Sequence, residues 1–202
     1  MAFIETLAPE QASGEALAMY ERQRTHFGYL PNYARLFCHR PEVMARWAAL
    51  LASIRRPVAP RRFELATLAA AQALNNSYCA LAHGRALAEL ADAATVQAVA
   101  EGRETDALDA QERAVVAFAR QVAVDAASVE QADIDRLRAV GLADAEIFDL
   151  VAVIAARAFF TKMLDGLGAE PDAAYREMAP RLREALSVGR PIAAAPPAVD
   201  RR

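Results

Sequence analysis

Phe63-Glu-Leu-Ala-Thr-Leu-Ala-Ala-Ala-Gln-Ala-Leu-Asn-Asn-Ser-Tyr-Cys-Ala-Leu-Ala-His83 is the stretch whose reading decides the fold. From Phe63 to Leu74 only Glu64, Thr67 and Gln72 are polar, which predicts a helix over 60–74 buried on most of its circumference. Pro60 fits its first turn, where a missing N–H costs nothing. Asn75-Asn76-Ser77 is a run of helix-capping residues, so it ends this helix and caps the next, over 78–90. Two helices therefore meet at a tight corner.

Outward from that corner the same period recurs. Apolar positions repeat at three and four rather than two, glycine is scarce at eight residues, and alanine makes up roughly a quarter of the chain, so the fold is expected to be all-α. Helices are predicted over 13–25, 42–54, 95–100, 110–124, 131–140, 144–167 and 172–186, with a further short segment opening at Pro31-Asn32. The chain of 202 residues fits one domain, over 1–188. Residues 189–202 lack periodicity and contain three prolines, which predicts a flexible tail.

Composition excludes several functions. Hydrophobic residues at 55 % supply ample core, and a net charge of −3 lacks the basic footprint of a nucleic-acid binder. The most apolar run, 150–160, is interrupted by Arg157 and is too short to span a bilayer, so no membrane partner is expected. Met1 to Glu10 shows no signal-peptide pattern, and the expected compartment is the cytoplasm. With only Cys38 and Cys79 in such a compartment, thiol chemistry would be catalytic or redox rather than structural.

Cys79 and His83 lie four apart and share a helix face, which Leu87 and Leu90 continue. That stripe points inward, so a core cysteine and a satisfied core histidine remain one reading. If Asn76 or Ser77 is the N-cap, however, Cys79 occupies the first turn, where free N–H groups and the helix dipole favour thiolate. Glu64 needs a partner if buried, and His83 is a candidate; otherwise it is a solvated glutamate at its own helix start. Converging, the three would form a proton relay in which Glu64 orients His83 and His83 takes the Cys79 proton, giving a thiol that titrates below a free cysteine. Tyr78 either lines a pocket or packs. Arg157, inside an apolar stretch, needs a buried carboxylate or a surface position. The Phe159-Phe160 pair reads as core or subunit interface, and His26 and His39 as surface or loop residues. Zinc on Glu64, Cys79 and His83 has no second C-x-x-C or H-x-x-x-H to support it, so neither a metal nor a cofactor is expected.

The stretch Glu64 to His83 resembles the core of the AhpD-like alkylhydroperoxidase and carboxymuconolactone decarboxylase superfamily, which pairs a glutamate with a later C-x-x-C-x-x-x-H. Gly28-Tyr-Leu-Pro-Asn32 with Arg40-Pro-Glu42, and Phe159-Phe-Thr-Lys-Met-Leu-Asp-Gly-Leu-Gly-Ala-Glu-Pro-Asp172, resemble flanking parts of its peroxidase-related branch. The resemblance implies an AhpD-like helical bundle in a homo-oligomer, trimeric or hexameric, with Glu64, Cys79 and His83 as relay glutamate, peroxide-attacking cysteine and histidine. Asn76 stands where the dithiol enzymes carry their first, resolving cysteine. An internal disulfide with residue 76 is therefore impossible, and a sulfenic acid at Cys79 would need an external thiol reductant or Cys38. Cys38 reads equally as a small core residue beside Leu36 and Phe37. The implied activity is a thiol-dependent, antioxidant peroxidase-type oxidoreductase acting on a peroxide. The alternatives are a non-redox acid–base enzyme acting on a small carboxylated lactone, with Arg85 or Arg157 as the carboxylate's cation, and a non-catalytic helical scaffold.

Overall fold

A computed structural model describes residues 2–103 and 105–195. The chain forms α1 (Gly14–Phe27), α2 (Asn32–Leu36), α3 (Pro41–Arg55), α4 (Pro60–Ala73), α5 (Ser77–Leu87), α6 (Ala93–Ala100), α7 (Ala110–Asp125), α8 (Gln131–Ala139), α9 (Asp144–Gly166) and α10 (Pro180–Leu186), joined by short 3-10 turns. No strand occurs among the described residues, and the fold is all-α. No helix among them is long and apolar enough to cross a membrane.

Helix α4 is the axis of the bundle and packs against α5, α7 and α9. Every residue from Phe63 to Ala71 is buried. Alanines at 66, 69, 70 and 71 let three neighbours approach closely, while Leu65 and Leu68, both fully buried, stabilise by about 1.5–3 kcal/mol each. Pro41, Pro60 and Pro180 each start a helix at the position where the absent N–H is not missed.

The corner between α4 and α5 forms as the capping run predicts. Asn75 turns the chain with a left-handed φ of 55°, a conformation asparagine tolerates, and Asn76 caps α5. Helix α5 is shorter than expected, ending at Leu87, so Leu90 leaves the inward stripe and is 45 % exposed. Close approach of α5 to α10 uses Gly84, where a Cβ would lie 2.5 Å from Leu186.

The helix expected over 172–186 divides into a 3-10 turn, Ala173–Glu177, and α10. Pro180 cannot donate to a helix running through it, and Ala179 before it is held extended (ψ 130°), so α10 must begin anew. The segment expected to be a flexible tail starts in firm contact with the body. Gly189 donates its N–H to Ser77 Oγ at 2.7 Å, Arg190 donates to the Asp165 carbonyl at 3.0 Å, and Ala193 donates its N–H to the Pro171 carbonyl at 2.9 Å. A Cβ at residue 189 would fall 2.0 Å from the Asn75 carbonyl oxygen, so the chain's close crossing over the corner requires glycine. The remainder of that expected tail, 196–202, lies outside the described residues.

Candidate active site

The site is built on the corner. Asn76 Oδ1 accepts the Cys79 N–H at 2.7 Å, satisfying one orphan donor of α5, while Asn76 Nδ2 donates to Asp165 Oδ2 on α9 at 2.8 Å. Asn76 thus ties the cysteine-bearing turn to α9, the longest of the described helices. Cys79 lies in the first turn of α5 and is 2 % exposed. Burial pushes its thiol above the ordinary value; Arg157 opposes this and Asp165 adds to it. Helix placement alone, a fraction of a pKa unit, cannot overcome desolvation, and this corrects the expectation of a thiol below a free cysteine.

Glu64 is not the solvated glutamate at a helix start. It is 3 % exposed and accepts from His83 Nδ1 at 2.6 Å, with the Arg55 guanidinium 3.6 Å from its other oxygen. Having given Nδ1–H to the carboxylate, His83 keeps Nε2 as a lone-pair acceptor. Burial, reinforced by Arg157, pushes His83 down to about 4 against the opposing pull of Glu64. The imidazole is therefore neutral near pH 7 and equipped as a base.

Glu64, Cys79 and His83 do converge, lining one cavity of about 420 Å³. Sequence reasoning missed which side chain meets the sulfur. Arg157, from one turn of α9, is 3 % exposed and donates from Nη1 to Cys79 Sγ at 3.4 Å. It has neither the buried carboxylate nor the surface position expected of it; its guanidinium also lies 5.7 Å from the centre of the Phe160 ring. The signal was present in the sequence as a lone arginine in an apolar run, but helical spacing cannot say that α9 crosses α5 at Cys79.

Aromatic rings form most of the remaining wall, including Tyr33, Trp47, Phe63, Phe160 and Tyr175. Trp47 stacks on Phe160 at 4.2 Å between centroids. Of the Phe159-Phe160 pair only Phe160 is buried, and Phe159 is 41 % exposed. Tyr78 both packs and lines the cavity: its hydroxyl donates to Asp172 Oδ2 at 2.6 Å, and the Tyr29 hydroxyl and Asn32 N–H donate to the same carboxylate. This clasp joins the Gly28–Asn32 motif to the Pro171-Asp172 motif at the cavity edge, and burial raises Asp172 despite the three donors. His26 also borders the cavity. His39 is outside it, 2.7 Å from the Glu5 carbonyl. Arg85 does not line it and instead faces the Tyr175 ring at 5.8 Å.

Cys38 is free and buried, and its sulfur accepts the Leu7 N–H at 3.4 Å; it is not among the residues lining the cavity. Among the described residues no group of three histidine, cysteine, aspartate or glutamate side chains is arranged to hold a metal ion.

Residues 41–121, which carry α3 through most of α7, match the carboxymuconolactone decarboxylase family model. No curated protein matches the chain. Similar solved structures include the alkylhydroperoxidase AhpD core of an uncharacterized peroxidase-related protein from Ralstonia eutropha JMP134, with a TM-score of 0.75 and 21 % identity over 86 % of this chain and 94 % of that one. An uncharacterized peroxidase-related protein from Silicibacter sp. TM1040 aligns with a TM-score of 0.72 and 21 % identity over 85 % and 94 %. The debrominase Bmp8 in complex with 2,3,4-tribromopyrrole aligns with a TM-score of 0.73 and 18 % identity over 91 % and 97 %. Residues 41–121 are thus similar to the carboxymuconolactone decarboxylase family, and the chain has an all-α, AhpD-like fold.

Proposed function

We propose that the protein is a thiol-dependent oxidoreductase of the peroxidase type, with Cys79 as nucleophile and the Glu64–His83 pair as its proton relay. One observation carries this reading: the sulfur, the guanidinium on it and a carboxylate-oriented imidazole all face one cavity. His83 Nε2 takes the thiol proton. The sulfur attacks the distal oxygen of a hydroperoxide, the O–O bond breaks, and the leaving alkoxide takes the proton back from His83. The sum is thiol plus hydroperoxide giving sulfenic acid plus alcohol, with sulfur oxidised by two electrons. A first external thiol then gives a mixed disulfide and water, and a second releases Cys79. The external reductant is needed because residue 76 is an asparagine, which has no thiol to offer, and Cys38 lies outside the cavity. A cavity of about 420 Å³ walled by aromatic rings suits an organic hydroperoxide better than hydrogen peroxide.

A second reading, acid–base chemistry on a small carboxylated compound, draws support from Arg157 and Arg55 beside a neutral imidazole in the same cavity. Exposing reduced protein to cumene hydroperoxide with a sulfenic-acid trap, then measuring turnover with a small thiol, separates the two. The peroxidase reading expects the trapped mass on Cys79 and loss of turnover in Cys79→Ser. Absence of trapped sulfenic acid, with Cys79→Ser still processing carboxylated substrates, replaces it with the acid–base reading. If neither substitution at Cys79 nor at His83 affects any substrate, the scaffold reading stands. A halogenated aromatic, the kind of ligand held by the fold relative Bmp8, belongs in the same substrate panel.

A further inference from the structure

A guanidinium removed from water is costly unless an anion meets it. Arg157 is 3 % exposed, and its Nε has no hydrogen-bond partner. The carboxylates around the cavity are committed elsewhere: Glu64 to His83 and Arg55, Asp172 to Tyr29, Tyr78 and the Asn32 N–H, and Asp165 to Asn76 and Arg190. Among the described residues Arg157 forms no ion pair, and the one heteroatom it is shown to bond is Cys79 Sγ, at 3.4 Å.

We propose that Arg157 is the counter-ion of the Cys79 thiolate, so that the guanidinium, and not His83, stabilises the anion that reacts. This rests on the thiol-dependent reading for its catalytic meaning, and makes Arg157 a catalytic residue because it touches the reacting atom. His83 is left the narrower task of accepting the proton. Its Nδ1 is bonded to Glu64, and no hydrogen bond joins the imidazole to the sulfur. The division of labour is physical. A neutral imidazole can take a proton but has little field with which to hold an anion, whereas a fixed positive charge in a low-dielectric pocket acts at full strength.

The charged and titratable groups facing Cys79 come from every side of the pocket. Arg157 and Asp165 belong to α9, Glu64 to α4, His83 and Tyr78 to α5, Arg55 to α3, Tyr33 to α2, and Asp172 and Tyr175 to the segment before α10. Of these, Arg157 draws the sulfur toward ionisation and Asp165 opposes it.

The test is alkylation of Cys79 by iodoacetamide as a function of pH, read by peptide mass in a Cys38→Ser background. Removing an opposite charge in contact moves a midpoint by about one to three pH units, so Arg157→Met should raise the Cys79 midpoint by at least about one. Arg157→Lys should recover part of that, His83→Ala should slow alkylation without displacing the midpoint, and Asp165→Asn should lower it. Equal midpoints in wild type and a cooperatively melting Arg157→Met, or a displacement by His83→Ala as large as by Arg157→Met, overturns the proposal. Should Arg157→Met fail to fold, the opposite displacements in Arg157→Lys and Asp165→Asn decide in its place. Because no hydroperoxide is used, a Cys79 that titrates through Arg157 yet yields no trapped sulfenic acid retires the peroxidase reading alone.

Discussion

Replacing His83 by glutamine keeps an amide N–H for Glu64 but removes the titration, and so exposes what burial does to this imidazole. In the folded protein His83 is pushed from its ordinary 6.5 down to about 4, by desolvation first and by Arg157 second. Between those values the unfolded chain binds a proton that the folded chain refuses. Stability therefore falls as pH drops from 6.5 to about 4, and is fully present above 6.5. At about 1.4 kcal/mol per pH unit this amounts to about 3 kcal/mol, an upper figure for a side chain 17 % exposed and bonded to a carboxylate. Urea unfolding of wild type and His83→Gln should be compared at neutral pH and at successive steps toward about pH 4. Titration of the carboxylates that do not touch residue 83 is common to both proteins and cancels in the difference. Wild type should lose about 3 kcal/mol more than His83→Gln over that interval. A difference independent of pH, or one that grows in favour of wild type in acid, would mean that Glu64 holds His83 as imidazolium, and would refute a site built on a neutral base.

Two further outcomes are expected. Truncation after Val188 removes the Gly189 N–H from Ser77 Oγ, the Arg190 contacts with Asp165 and the Phe3 ring, and the Ala193 N–H from Pro171. It should cost about 2 kcal/mol and lower Tm by roughly 4–8 °C at this chain length; a Tm unchanged by this cut would show that these bonds do not stabilise the corner. Light scattering should give the mass of several chains, because α3 and α9 expose Leu50, Phe148, Val151 and Phe159 together, and a single-chain mass at micromolar concentration would refute the expected homo-oligomer.

The sequence by itself determined the local elements and the residue types at the corner. Period 3.6 over Phe63–Leu74, Pro60 at a helix start and an asparagine cap are short-range signals, each fixed by a backbone's own hydrogen-bonding needs, and all were legible within a few residues. Glu64, Cys79 and His83 could be singled out for the same reason, by type and by spacing on two consecutive helices. Where short-range signals conflicted, as at Pro180 within an otherwise periodic 172–186, the apolar period was misleading and the missing N–H prevailed. Only the tertiary structure decided what surrounds the sulfur. Arg157 is 78 residues from Cys79, and whether it faces solvent, a carboxylate or a thiol depends on how α9 crosses α5, which no helical repeat encodes. The same holds for Asp172, 94 residues from the Tyr78 hydroxyl it accepts, and for Gly189, whose lack of a side chain matters only because the Asn75 carbonyl lies where a Cβ would be. Burial is likewise a property of the assembled bundle. The first turn of a helix promises a more acidic cysteine, but desolvation by burial outweighs the dipole, and so the ionisation of Cys79 passes from its own helix to a charge delivered by another.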